Sequence, residues 1–164
     1  MFVVIFEVLP APGQQEVYLA LALSLRPRLD SIAGFRSVER FSALARPNWL
    51  LSLSFWESEA DLIAWREQGD HKLAQARGRR EIFADYRLRV GRLVPAPVAR
   101  SVGLLEGEEG GDWPAGGEHF ESLYRPGHRV GLYPAALAAS QGGRMFEVLR
   151  DYGPQARAEA PRRD

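Results

Sequence analysis

The first 94 residues alternate between strand-like and helix-like patterns of hydrophobic residues. Phe2–Leu9 is rich in β-branched and aromatic residues and runs into a turn with Pro and Gly, which predicts a strand. Gln14–Ile32 carries apolar residues at helical spacing, with a break expected just before Pro27. Two further strands are predicted over Phe35–Leu44 and Trp49–Trp56, and in the second of these apolar residues alternate with serine.

The next segment predicts two helices and a fourth strand. Ser58 is an N-cap candidate with Asp61 three residues later, and the helix that it begins should stop at Gly69. Asp70 should cap a second helix, and Tyr86–Val94 predicts the fourth strand. The order β-α-β-β-α-β is that of an α+β, ferredoxin-like domain. Because both helices would cover the same sheet face, we expect a homodimer through the bare face.

The composition changes beyond residue 94. Eleven of the 16 glycines and six of the 11 prolines follow residue 95, which predicts a C-terminal irregular extension. The acidic stretch Glu106–Gly117 is typical of an exposed loop. Val130–Leu137, by contrast, is apolar enough to pack against the rest of the protein.

Charge and composition narrow the class of protein. The 21 acidic and 21 basic residues cancel at pH 7, so no net charge favours nucleic acid or an anionic membrane. The lack of cysteine excludes disulfide scaffolds and thiol catalysis. No apolar run reaches the ~20 residues that span a bilayer, and the start lacks the basic region of a signal peptide. We expect a cytoplasmic protein whose partner is a small-molecule substrate.

Several motifs between residues 34 and 94 carry a family resemblance. They are GFRSVERFSAL at 34–44, FWES at 55–58, AWR at 64–66, DH at 70–71, AQARGRRE at 74–81 and YRLRV at 86–90. In order and spacing they resemble the antibiotic biosynthesis monooxygenase (ABM) family, closest to its haem-degrading monooxygenase-like branch. The resemblance implies a dimeric α/β barrel of ferredoxin-like subunits.

A displaced motif completes the domain division. RDYGPQARAEAP at 150–161 is similar to the tail that directly follows the last strand in many family members. We therefore expect three parts: an ABM-like ferredoxin-fold domain over 1–94, a Gly/Pro-rich insertion over 95–146 and a family-like tail over 147–164. The insertion should act as a cover that keeps water from the site, packed by Val130–Leu137 and Trp113. Its deletion should then leave a folded dimer.

The resemblance implies one of two chemistries. One branch of the family oxidises phenolic polyketides with O2 and without metal or flavin, and the other opens haem, which is both substrate and cofactor. Trp65 matches the tryptophan of the haem-degrading triad, but Glu7 stands nearest to its asparagine and Gln75 replaces its iron-binding histidine. Against the polyketide branch, Trp56 matches the strand-end tryptophan, whereas Ser52 replaces an asparagine.

We expect a monooxygenase that acts with O2 on a small aromatic or polyketide-like substrate, without metal or flavin. His71 is the candidate proton acceptor and Trp65 the other candidate catalytic residue. On one continuous helix these two would lie about 240° apart, so they share a face only if the helix breaks near Gly69. The candidate substrate-binding residues are Glu7, Ser52, Trp56 and Gln75.

Two other interpretations stay open. One is a non-catalytic dimeric module that binds a small molecule or serves a stress response. The other is a haem-binding or haem-degrading protein with a non-standard ligand, although we expect no haem bound through His71 in the family's usual manner. His119 and His128 lack neighbours at metal-ligand spacing, so no metal site is expected. Glu7, on an apolar strand, must face solvent, a partner charge or a pocket. Convergence of polar groups on one apolar cavity would separate these interpretations.

Overall fold

The computed structural model describes residues 1–161, which form eight strands and five helices. The strands are β1 (Phe2–Pro10), β2 (Phe35–Ala43), β3 (Leu50–Trp56), β4 (Phe83–Val94), β5 (Ser101–Glu108), β6 (Glu118–Ser122), β7 (His128–Pro134) and β8 (Arg144–Tyr152). The helices are α1 (Gln15–Ser24), α2 (Arg26–Asp30), α3 (Glu59–Glu67), α4 (Gly69–Arg77) and α5 (Ala135–Ser140), and a π-helical turn, Gly78–Ile82, follows α4. No helix within residues 1–161 is both long and apolar enough to cross a membrane.

The first half of the chain has the predicted element order. Strand β1 lies between β3 and β4, and β2 lies beyond β3, with all pairs antiparallel. The break before Pro27 is confirmed, because α1 ends at Ser24 and α2 begins at Arg26 with the proline in its first turn. Alternation along β1 buries Val3 and Ile5 on one face of the sheet and leaves Val4 and Phe6 on the other.

Helices α3 and α4 are separated by a capped break. The backbone N–H of Asp61 donates to the Oγ of Ser58, so the predicted N-cap of α3 is confirmed. The second cap is Gln68 rather than Asp70. Gln68 has an extended backbone, and its side-chain oxygen accepts the N–H of His71 at 2.8 Å. A glutamine therefore satisfies a backbone donor at the start of α4.

Replacing Ser58 with alanine should lower the free energy of unfolding by about 1 kcal/mol, since the first turn of α3 loses its acceptor. Urea denaturation monitored by circular dichroism measures this change. Ser24→Ala is the matched control, because Ser24 lies at the end of α1 and its hydroxyl donates to a carbonyl. Equal losses in the two variants would contradict the capping role of Ser58.

Residues after 94 form regular strands, not the irregular extension expected from their composition. Their order across the sheet, β6-β7-β5-β8, repeats the order β2-β3-β1-β4 of the first half. The glycines serve close packing here. At Gly103 of β5 a β-carbon would overlap the Cβ of Ala138, so only glycine lets α5 lie this close to the sheet.

The two halves close into one eight-stranded barrel. Strand β2 pairs with β6, and β4 pairs with β8. The interior holds 14 buried apolar residues, seven from each half, so neither half supplies a full core alone. They are Val3, Ile5, Phe41, Ala43, Leu51, Leu53, Phe55, Val102, Leu104, Phe120, Val130, Leu132, Phe146 and Val148.

The closed barrel changes two expectations. The helix-free sheet face, through which a homodimer was expected, packs instead against the second sheet of the same chain. The apolar segment Val130–Leu137 was expected to cover the site. In the structure Val130 and Leu132 lie inside the barrel, so this segment belongs to the core.

Candidate functional site

A cavity of about 480 Å³ lies between the outer face of the first sheet and helices α1–α4. The strand register places its floor residues in rows across the sheet. In one row Arg40 stands opposite Ser52, Ser52 opposite Phe6, and Phe6 opposite Leu88. The helices supply a largely apolar roof, with Leu21 and Leu25 at one side and Trp65 at the other. Such a partly open, mainly apolar cleft suits a small organic ligand.

Trp65 and His71 meet at the wall of this cavity. Their rings stack with centroids 4.1 Å apart and an interplanar angle of 16°. The imidazole Nδ1 lies 2.9 Å from the backbone carbonyl oxygen of Trp65. The break at Gln68 turns α4 back against α3 and so brings the two rings together. The helix break that Trp65 and His71 need in order to lie together is therefore present. It is capped by Gln68, two residues before the expected cap Asp70.

The surroundings of His71 keep its ring uncharged. Burial lowers the pKa of His71 to about 4, opposed by the hydrogen bond to the Trp65 carbonyl and assisted by the positive charge of Arg79. A carbonyl oxygen only accepts, so Nδ1 must carry the proton of the neutral ring. Nε2 is then the unprotonated nitrogen, and it can accept a proton at neutral pH.

Three of the four candidate substrate-binding residues also line the cavity. Trp56 is 1% exposed, and its indole N–H donates to the Oγ of Ser54 at 2.9 Å, which fixes the ring. Ser52 lies on the floor, on the same face of β3 as Trp56 and four residues before it. Gln75 follows His71 by one helical turn on α4. Ser52 and Gln75 therefore stand where a ligand could contact them, whereas the buried ring of Trp56 forms part of the wall behind the cavity.

Glu7 lies on the other side of the sheet. It shares the inward parity of Val3 and Ile5 on β1 and points into the barrel. There its carboxylate accepts hydrogen bonds from Arg46 at 2.6 Å and from Arg89 at 2.7 Å, and it is 4% exposed. Solvent, a partner charge and a pocket were the three possible environments for Glu7, and the structure shows the second of them. Glu7 is paired with two arginines inside the barrel, so it does not contact a ligand in the cavity.

Several cavity residues were missed by the sequence reasoning. Arg150 and Tyr152 reach the cavity from β8, and the Arg157 guanidinium beyond them donates to the Tyr86 hydroxyl at 2.7 Å. All three residues belong to the tail motif at 150–161. The resemblance of this motif to the family's tail was the feature of the sequence that could have pointed to them. Arg40 was missed too, although its parity with Val38 on β2 places both on the cavity face.

The other two histidines lie outside the cavity. His119 shares a 2.6 Å hydrogen bond with the Tyr133 hydroxyl on the second sheet. His128 lies 3.9 Å from a carboxylate oxygen of Glu39. In the part of the chain that the structure describes, no three His, Asp or Glu side chains are placed to hold one metal ion.

Comparison with known proteins gives a family match. Residues 1–77 match the family described as antibiotic biosynthesis monooxygenase. Over 106 residues the chain is 45% identical to a protein of Pyricularia oryzae named jasmonate monooxygenase ABM. That alignment covers 65% of this chain and 49% of the relative, so the chain spans about half of the relative's length.

Solved structures support the fold of both halves. The crystal structure of an antibiotic biosynthesis monooxygenase superposes with a TM-score of 0.50 and 16% identity, covering 58% of this chain and 100% of its own. A protein from Lactobacillus acidophilus NCFM superposes with a TM-score of 0.50 and 9% identity, covering 93% of this chain and 90% of its own. The second likeness extends over the strands of both sheets.

Proposed function

We propose that this protein is a monooxygenase, since its first 77 residues match the antibiotic biosynthesis monooxygenase family. Its substrate is a small aromatic or polyketide-like molecule, and it uses O2 without metal or flavin. One observation carries the proposal: an uncharged, stacked His71 presents a proton-accepting nitrogen at an apolar cavity of about 480 Å³.

The chemistry follows from the roles of the cavity residues. Trp65 contacts the flat substrate, the buried Trp56 supports the wall behind it, and Nε2 of His71 takes a proton from an acidic CH2 group. The carbanion gives its electrons to O2 and forms a hydroperoxide. Loss of water then leaves a ketone, so CH2 and O2 become C=O and H2O. The low pKa of His71 makes its imidazolium a ready proton donor to the departing hydroxide. The apolar part of the cavity wall reduces the number of water molecules around the carbanion.

Jasmonate is a second candidate substrate. We consider it because the Pyricularia oryzae relative, which is 45% identical over 106 residues, is named a jasmonate monooxygenase. Jasmonate combines a ketone ring and an apolar side chain with a carboxylate. Those parts match the mixture of apolar and cationic residues that line the cavity.

Haem fits the donor set poorly. Gln75 occupies the position of the family's iron-binding histidine, and an amide is a weak iron ligand. His71 is stacked against Trp65 and held by its carbonyl. We therefore propose that haem is not bound through His71 in the family's manner. A binding module without catalysis remains the competing function, since it needs the same cavity but no base.

We propose further that the barrel needs no partner subunit. The sheet surface that the resemblance implied for dimerisation is filled by β5–β8 of the same chain. A homodimer, if one forms, would use another surface.

The monooxygenase proposal is tested by incubating the purified protein with 18O2 and either jasmonate or a tricyclic anthrone. We expect one 18O atom in each product molecule and one O2 consumed, unchanged by a chelator and without added flavin or haem. Product that appears only after haem or flavin is added would contradict the cofactor-free chemistry. Binding of both compounds without any product would favour the binding module.

A further inference from the structure

Arg40 places a guanidinium on the floor of the cavity. It lies on β2, opposite Ser52 of β3 and on the same face as Val38. Its Nε is buried and has no hydrogen-bond partner among residues 1–161. Removing part of a guanidinium from water without supplying an acceptor is unfavourable, so this position calls for a compensating group.

The barrel pairs comparable arginines within the protein. Arg89 also has a buried Nε without a partner, but its Nη2 donates to Glu7 at 2.7 Å. Arg46 donates to Glu7 and to Glu118. In the described part of the chain Arg40 takes part in no ion pair. The acceptor for this N–H is therefore either a water molecule in the cavity or an atom of a bound ligand.

The charges around the cavity favour an anion. Among residues 1–161, five cationic side chains besides Arg40 line the cavity, against one acid, Glu67: Arg66, Lys72, Arg79, Arg150 and Arg157. Some are compensated, since Glu67 lies 3.5 Å from Arg66 and Glu59 lies 2.7 Å from Arg150. His71 adds no charge at neutral pH. With Arg79 left out of the balance, the described lining still carries Arg40, Lys72 and Arg157 beyond these two ion pairs, and this positive charge attracts a negatively charged ligand.

The rest of the floor is apolar. Phe6 and Leu88 continue the row that Arg40 and Ser52 begin, and Trp56 closes one end of the floor. This arrangement matches a molecule with one anionic end and an apolar body. A guanidinium binds a carboxylate through two parallel hydrogen bonds, which fixes the orientation as well as the position of the ligand.

We propose that Arg40 binds the carboxylate of the substrate, and that the site therefore selects apolar carboxylic acids over their neutral counterparts. This inference depends on the proposed function in one respect: it takes the ligand of the cavity to be the substrate of the monooxygenase. Arg40 lies on the sheet and His71 on α4 above it, so the carboxylate anchors the ligand away from the carbon that reacts. Arg40 is then a specificity-determining residue.

The test compares jasmonate with its methyl ester by isothermal titration calorimetry. The wild-type protein should bind the acid at least tenfold more tightly than the ester. Arg40→Met should weaken binding of the acid at least tenfold and change binding of the ester less than twofold. Unchanged ester binding also shows that the variant is folded. Arg40→Lys should keep part of the preference, because it retains the charge but not the two-pronged geometry.

Lys72→Met is the matched control. It removes one positive charge from the exposed rim of the same cavity and should leave the preference for the acid intact. Equal affinities for acid and ester, no binding of either, or an equal loss in Lys72→Met would overturn the role of Arg40. Arg40-dependent preference without 18O incorporation would reject the monooxygenase and keep the anion site. If Arg40→Met instead turned over acid and ester equally well, the anion site would be rejected and the monooxygenase proposal would be kept.

Discussion

Replacing Phe120 with alanine should lower the free energy of unfolding by about 3–5 kcal/mol. Phe120 is 0% exposed and lies inside the barrel, where β6 pairs with β2 of the first half. Truncation leaves a cavity between the two sheets that the surrounding strands cannot fill. Denaturation with guanidinium chloride, monitored by tryptophan fluorescence, measures the loss.

Tyr124→Ala is the control for the same region. Tyr124 is 60% exposed, so its removal should change the stability by less than about 0.5 kcal/mol.

Deletion of residues 96–145 should yield no folded protein, because it removes β5, β6, β7 and α5 and uncovers the interior face of the first sheet. A folded deletion variant with native-like spectra would restore the idea that this segment is a removable cover.

Replacing His71 with asparagine should lower kcat by about 10²–10⁴-fold. Asparagine can still donate to the Trp65 carbonyl, as Nδ1 of the imidazole does, but it has no nitrogen that takes up a proton at the position of Nε2. KM should change much less, since the tryptophan walls remain. Gln75→Ala, on the same helix face, is the matched control and should affect KM more than kcat. An unchanged kcat in His71→Asn would remove His71 from the proposed chemistry.

The pH dependence of kcat should follow the lowered pKa of His71. The active form is the neutral ring, and the folded pKa is about 4 against an ordinary 6.5. We therefore expect kcat to stay level from pH 7.5 down to about pH 5 and to fall as the pH passes through 4. A fall centred near 6.5 would show that the base is a solvated histidine.

The same shift links stability to pH. Between about pH 6.5 and 4 the unfolded chain binds a proton at His71 that the folded protein does not, so stability rises with pH across this window. The stability is complete above about pH 6.5, and the loss reaches roughly 3 kcal/mol once the pH has fallen below 4. His71→Asn should remove this part of the pH dependence, which urea denaturation at pH 7.5 and 4.5 would measure.

The first half of the fold could be predicted because its patterns are local. Serine alternation in β3, the proline before α2 and the cap at Ser58 each act within a few residues. The second half gave a misleading pattern. Its glycines resemble those of loops, and only the contact of Gly103 with Ala138 shows that glycine here admits a helix to the sheet. That contact joins two residues that lie 35 positions apart in sequence (138 − 103), which no local pattern reports.

The candidate site was predictable to a similar extent. Trp65 and His71 were found by their motifs, and the helix break was foreseen as the condition for their contact. Parity along the strand would have placed Glu7 with Val3 and Ile5 inside the barrel. Arg40 could not have been singled out, because the chain holds many arginines and only the folded structure shows which of them lacks an acceptor.

Closing the barrel within one chain has a consequence for how the protein can change over time. In a symmetric dimer every substitution appears twice, once in each subunit, so a change that suits one sheet must be tolerated by the other. Here a substitution appears once. The first sheet could therefore keep four helices with a cavity beneath them, while the second sheet acquired a single helix that packs closely against Gly103. The barrel also stays closed at any dilution, because no association step enters its stability.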